Sequence, residues 1–274
     1  MPLDPNHQEV QDAPIIQNVD ELGGPPADYS DDANNRFVII NNADEGQHGD
    51  EGEGQARSLR SLHPYTRPLT ISDLDSCIAL ENAAFDDENE RCSPDKFKYR
   101  LSKCGELSLG LFCTATPDSD IPAATLKTGK PVETSRANGA VSVLLAHVVA
   151  TKTRDGLATD VAMDYPRDWE SVKRDESKEG HHEDGRTICV HSLAVLPQFQ
   201  GSGIGRTIMM AYMQQMNGAG IADRLAIIAH GPLVPYYEKL GFVSKGPSEA
   251  QFGGGGWFDM IFDLKSIEAR AMYG

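Results

Sequence analysis

Hydrophobic positions along the chain change their spacing repeatedly, and each change predicts an element. From Thr187 to Leu196 the residues Ile188, Val190, Leu193, Val195 and Leu196 make an apolar, partly β-branched run. This is the signature of a buried strand, and Pro197 ends it. Gly201, Gly203 and Gly205 follow, and then Ile208, Met209, Tyr212, Met213 and Met216 recur at three- and four-residue spacing. That spacing gives an amphipathic helix with one face for a sheet. Earlier in the chain, Thr66–Ile71 reads as an edge strand because Pro68 cannot donate to a central ladder. A helical stripe then runs through Leu74, Cys77, Ile78, Leu80, Ala84 and Phe85, with Ser72 as the expected N-cap. Ser93 and Pro94 start a second helix as cap and first residue, carrying Phe97, Leu101 and Cys104 inward to Gly105.

Leu107–Ala115 and Ala140–Thr151 read as two further strands joined by a polar connection, Pro117–Gly139. Arg154–Gly185 is a long charged excursion without sustained period, the kind of segment that forms a lid or stays unstructured. Its His181-His182 pair brings no further ligands, so no metal site is expected. Arg224–Ala229 is a short apolar strand, and Gly231–Phe242 a short helix closed by Gly241. After the glycine run Gly253–Gly256, Trp257–Phe262 is a closing strand, with a terminal helix expected beyond Lys265.

Composition changes this picture at the N-terminus. Residues 1–62 are rich in Asn, Gln, Gly, Asp and Glu, carry most of the net charge of −16, and hold only two small apolar clusters. They are expected to be a disordered acidic tail, with residues 63–274 forming one domain. The acidity argues against nucleic acid and anionic membranes as partners. No run is long and apolar enough for a membrane span, and Met1–Glu9 has no signal-peptide character. Five cysteines without a C-x-x-C pair argue against a disulfide framework or zinc site, so a cytoplasmic protein is expected.

The glycine turn suggests chemistry. A glycine-loaded helix start presents unpaired N–H groups and a positive dipole end, a ready anion site, although the same turn could simply join strand to helix tightly. Two phosphate-binding spellings fail. The sixth position counted from Gly201 is Arg206 rather than glycine, and Gly205 is followed by Arg206 rather than Lys and Ser or Thr.

Gln200-x-x-Gly203-x-Gly205 after an apolar strand, with Tyr237-x-x-x-Gly241-Phe242 after the next, resembles the GNAT superfamily of acetyl-CoA-dependent N-acetyltransferases. Within it, Glu81–Phe85, Cys104–Phe112, His191–Val195 and Leu233–Tyr237 are similar to the arylalkylamine branch and its fungal-type relatives. The resemblance covers about Arg67 to Leu264. It implies an α/β GNAT fold, a mixed, mostly antiparallel central sheet with helices on both faces. It also implies transfer of acetyl from acetyl-CoA to a primary amine by direct attack. Gln200, Gly201, Ser202, Gly203, Ile204, Gly205 and Arg206 would hold the cofactor's pyrophosphate, and Leu193, Ala194 and Val195 its pantetheine arm. His191 would be the base and Tyr237 an acid. Phe85, Pro94 and Trp257 would line the amine pocket together with Cys189, which stands where the family has the first histidine of a His-x-His pair. That departure weakens a two-histidine relay, because a buried thiol is a poor proton partner at neutral pH.

An aromatic pocket favours an arylalkylamine such as serotonin, tryptamine or phenylethylamine, while the acidic stretch Asp86–Glu90 favours a polyamine. An idle acyl-CoA-binding module is the rival from another class. The protein is expected to be a monomer without a metal.

Overall fold

The computed structural model describes residues 64–117, 137–171 and 177–265. The expected tail, nearly all of the Pro117–Gly139 connection, residues 172–176 of the long excursion and the expected terminal helix lie outside the described residues.

Among the described residues seven strands form one sheet: β1 (Tyr65–Pro68), β2 (Leu109–Ala115), β3 (Val141–Thr153), β4 (Thr187–Val195), β5 (Arg224–His230), β6 (Val243–Pro247) and β7 (Trp257–Asp263). Their order is β1-β2-β3-β4-β5-β7-β6, and β4–β5 is the one parallel pairing in it. This is the mixed, mostly antiparallel sheet that the resemblance implied. The helices are α1 (Leu74–Ala84), α2 (Pro94–Lys103), α3 (Asp160–Met163), α4 (Ile204–Ala219) and α5 (Val234–Lys239). Among the described residues no helix is long and apolar enough to cross a membrane.

The sheet is held by α4 as its periodicity predicted. Ile204, Ile208, Met209, Tyr212, Met213 and Met216 are buried, each apolar side chain contributing about 1.5–3 kcal/mol by leaving water. Tyr212 also donates its hydroxyl to the Leu107 carbonyl at 2.9 Å, so its one polar atom is satisfied inside the core. α1 packs on β3 and β4 and α2 on β3, with Leu80 and Phe97 fully buried.

Two expectations are corrected. The entry to α1 is a 3-10 turn, Ile71–Asp73, capped from Thr70 rather than a direct helix start at Ser72. The reason is Asp73, a stronger acceptor than a serine hydroxyl. It takes hydrogen bonds from the Thr70 N–H (2.9 Å), the Thr70 hydroxyl (3.1 Å) and both terminal nitrogens of Arg67 (2.8 Å each). The second correction is β6, where no strand was expected. Val243-Ser-Lys-Gly-Pro has no apolar alternation because it is an exposed edge strand, bulged between Ser244 and Gly246. Backbone pairing to β7 makes the strand, and side-chain patterning does not record it.

The feature that positions the site is a wedge between β4 and β5. Their ladder holds only Thr187↔Arg224, Ile188↔Leu225 and Cys189↔Ala226. Beyond it β4 stays with β3 as far as Ala146↔Val195, while β5 stays with β7 as far as His230↔Trp257. Each of the two strands therefore keeps one partner and leaves its inner edge free. At the apex the β3–β4 register shifts, Val149 facing Ser192 and Ala150 facing Val190. His191 is the extra residue of that bulge, which bends the strand and re-aims the side chain.

Candidate active site

His191 opens into a narrow, partly solvent-open cleft lined also by Glu81, Glu90, Cys92, Lys96, Arg100, Met163 and Phe252. Four elements meet there: α1 gives Glu81, α2 gives Lys96 and Arg100, α3 gives Met163, and β4 gives His191. The ring of His191 is half-buried. Its Nε2 pairs with the Thr151 hydroxyl at 2.8 Å, and its Nδ1 lies 3.8 Å from the Cys189 sulfur. One nitrogen is therefore firmly held and the other loosely. Burial, and after it the positive charges of Arg100 and Lys96, push the imidazole well below its ordinary range. At neutral pH the ring is uncharged.

The charged groups of the cleft fall into two sets. The carboxylates are engaged inside the protein. Glu81, almost fully buried, accepts from the Cys92 N–H at 2.9 Å and the Ser192 hydroxyl at 2.7 Å, and meets His147 Nε2 at 3.0 Å. Glu90 meets His230 Nε2 at 2.8 Å, and His230 stacks on Trp257 with ring centres 3.8 Å apart. The cations are less engaged. Arg100, buried to 3 % exposure, donates to the Met163 carbonyl at 2.7 Å and to the Cys92 sulfur at 3.3 Å, and its Nε has no partner among the described residues. The Cys92 thiol is pushed up to about 12, chiefly by burial, so it is neutral and is no counterion. Lys96 reaches Asp164 at 3.6 Å and lies 5.4 Å over the Phe252 ring. Burial, and then Arg100, lower its ammonium below the ordinary lysine range.

The residues singled out from the sequence are distributed as follows. His191 lines the cleft. Cys189 lies directly behind it, fully buried, with its thiol pushed up to about 12 by burial, and it packs with Met163, Ala226 and Trp257. Trp257 donates its Nε1 to the Phe252 carbonyl at 2.7 Å and supports the rim through His230. Phe85 closes α1, half-buried, with its carbonyl held by Arg91 Nε at 2.8 Å. Pro94 is exposed at the first position of α2. Neither lines the cleft. Tyr237 is buried in α5, edge-on to Tyr236 and Phe242, and burial raises its phenol well above the ordinary range. Of the acidic stretch Asp86–Glu90, only Glu90 reaches the cleft; the rest is solvated, with Asp87 capping the turn at Asn89. His181 is tied into the fold, its Nδ1 accepting from the Lys152 N–H at 3.1 Å and its own N–H donating to Tyr99 at 2.9 Å.

Sequence reading missed Thr151, Lys96 and Arg100. Lys96 and Arg100 are four residues apart, so they share a helix face, and Arg100 sits beside Leu101 at the margin of the apolar stripe. A charge at that position was the available signal.

The glycine turn after β4 fits an anion. Gly201 and Gly203 have φ of +74° and +86° with open space where a Cβ would stand. Gly203 begins α4 without any side-chain cap, leaving first-turn N–H groups free for a ligand. Gln200 donates to the Val195 carbonyl at 3.0 Å, and Ser202 to the Phe199 carbonyl, which fixes the loop away from that opening. The buried Tyr236 hydroxyl, unpartnered among the described residues, lies 3.3 Å from the position of a Cβ at Gly205. With two free strand edges on one side of this turn, the fit is to an extended ligand with phosphate at one end.

Residues 178–264 match the family model of the Acetyltransferase (GNAT) domain. The chain is similar to the serotonin N-acetyltransferase of Mesocricetus auratus, 26% identical over 190 residues that make up 68% of this chain and 71% of that one. It is 31% identical to the serotonin N-acetyltransferase of Macaca mulatta over 78 residues, 28% of this chain and 38% of the relative. Among solved structures, the loading GNATL domain of CurA from Lyngbya majuscula is 13% identical, covering 74% of this chain and 98% of that one, with a TM-score of 0.48. The PaiA N-acetyltransferase from Thermoplasma acidophilum, in complex with coenzyme A, is 14% identical over 73% of this chain and 98% of that one, with a TM-score of 0.43. The chain carries an acetyltransferase domain of GNAT type in a GNAT fold. It is an acetyl-CoA-dependent N-acetyltransferase.

Proposed function

We propose that the protein acetylates a small primary amine of the arylalkylamine type, bound in the cleft at His191, by direct attack in a ternary complex. The observation that carries this reading is the wedge. One bulge both frees the edge of β4 and turns His191 into the cleft, so a cofactor arm entering along β4 and an amine entering from the cleft would meet at that residue. The similarity to serotonin N-acetyltransferases supports the aryl character of the acceptor.

Acetyl-CoA supplies the acyl group as a thioester. Gln200–Arg206 would hold its pyrophosphate and Leu193–Val195 its pantetheine arm, the second by strand addition along the free edge of β4. Much of the catalysis is then orientation of two reactants. His191 takes the proton that an alkylammonium must lose before its nitrogen can attack; the ring is neutral at pH 7, and donating Nε2–H to the Thr151 hydroxyl leaves the lone pair on Nδ1. Cys189 does not extend a relay, because its thiol stays protonated. Tyr237 is kept as a phenol by burial, the form that can give a proton to a departing thiolate. A polyamine would bring a second ammonium beside Lys96 and Arg100, so the arylalkylamine reading is preferred. Trp257 supports the cleft wall from behind, and Phe85 and Pro94 bound the loop that leads to it.

The test is thiol release from acetyl-CoA with tryptamine, phenylethylamine, spermidine and a lysine peptide. Turnover with the two aryl amines, at kcat/KM at least about ten-fold above spermidine, is expected. Turnover confined to spermidine or to the peptide would overturn the acceptor class.

A further inference from the structure

The two carboxylates of the cleft find their partners elsewhere, and one of its two cations, Arg100, has no anionic partner among the described residues. Glu81 and Glu90 both line it, but Glu81 is engaged by Cys92, Ser192 and His147, and Glu90 by His230. Arg100 has a thiol and a backbone carbonyl as partners and an Nε with none among the described residues. Lys96 stands 3.6 Å from its nearest carboxylate, longer than a direct hydrogen bond. A buried guanidinium without an anionic partner is costly, and its planar donor fork matches a carboxylate. The other lining residues, Met163 and Phe252, are apolar.

We propose that the acceptor carries a carboxylate as well as its amine, the carboxylate held between Arg100 and Lys96, the amine at His191, and an apolar or aromatic side chain on Met163 and Phe252. The substrate class is then an apolar or aromatic amino acid, an arylalkylamine that has kept its carboxyl group. This rests on the acetyl transfer proposed for the same cleft. Recognition of a carboxylate by two cations is charge-assisted, so an amine that lacks it leaves Arg100 unpartnered and is the poorer substrate.

The experiment compares kcat/KM for tryptophan with tryptamine, and for phenylalanine with phenylethylamine. It uses acetyl-CoA as donor, with the N-acetyl product identified by mass. Each amino acid is expected to exceed its decarboxylated partner by about ten-fold or more. In Arg100→Gln and Lys96→Gln that ratio is expected to fall by about ten-fold. Should Arg100→Gln not fold, the half-buried Lys96→Gln carries the comparison alone. Amines acetylated in preference to amino acids, or a ratio unmoved in the variants, would overturn the proposal and leave the arylalkylamine reading standing. No product from any of the four compounds would remove both.

Discussion

His191, proposed as the base, and Thr151 form the smallest unit on which the proposed chemistry depends. A base must present a lone pair in a fixed direction, and the 2.8 Å contact between the Thr151 hydroxyl and Nε2 is what fixes the ring. Thr151 is fully buried, so Thr151→Val keeps shape and removes only the hydroxyl. The account predicts that this variant lowers kcat by up to about ten-fold, the scale of one lost hydrogen bond, with KM for acetyl-CoA unchanged. An unchanged kcat would mean that ring orientation is set elsewhere. In the sequence, His191 was visible through its motif and Cys189 through its departure from it. Thr151 was not, because partnership across two strands depends on register, and the bulge that sets this register leaves no compositional mark. Lys96 and Arg100 were hidden for a different reason. Charges on an amphipathic helix are ordinarily solvated, and only the packing of α3 and Phe252 over them turns two such residues inward.

Among the elements, β4, the turn after it and α4 were the most legible. An apolar run, three glycines and a helical stripe each state one local rule, and all agree with the fold that forms. The positive φ at Gly203 and the open space at its Cβ position leave room for the phosphate proposed to bind there. Gly203→Val would strain the backbone and fill that space. The expected outcome is a rise in KM for acetyl-CoA of about ten-fold to a hundred-fold, the loss of one or more charge-assisted hydrogen bonds to phosphate, with kcat at saturating cofactor little changed. An unmoved KM would contradict the assignment of this turn to the pyrophosphate. β6 was illegible for the converse reason: as an exposed edge it satisfies hydrogen bonds and buries little, so no hydrophobic period announces it.

At the scale of the whole molecule, the sheet topology does two things at once. Mixed pairing lets β4 run parallel to β5 for three residues and then part from it, and that parting leaves free the edge proposed for the cofactor, beside the cleft at His191. The resemblance pointed to this edge only through the pantetheine role it implies for Leu193–Val195, whereas the electrostatics of the cleft arise from four elements distant in the chain. Those electrostatics also set the pH behaviour. Because burial and the nearby cations push His191 well below its ordinary value, its proton is bound less readily in the folded protein than in the unfolded chain. Lowering pH through about 6.5 therefore erodes stability, since the unfolded histidine takes up a proton that the folded one refuses. Activity should outlast ordinary histidine protonation for the same reason. The most direct test is the pH profile of kcat/KM for the wild-type protein and His191→Gln, with acetyl-CoA and the best acceptor amine. The expected result is an acid limb lying well below the ordinary histidine value in the wild type, and in the variant a loss of about a hundred-fold or more together with that limb. A variant that keeps the wild-type rate and the same acid limb would contradict it.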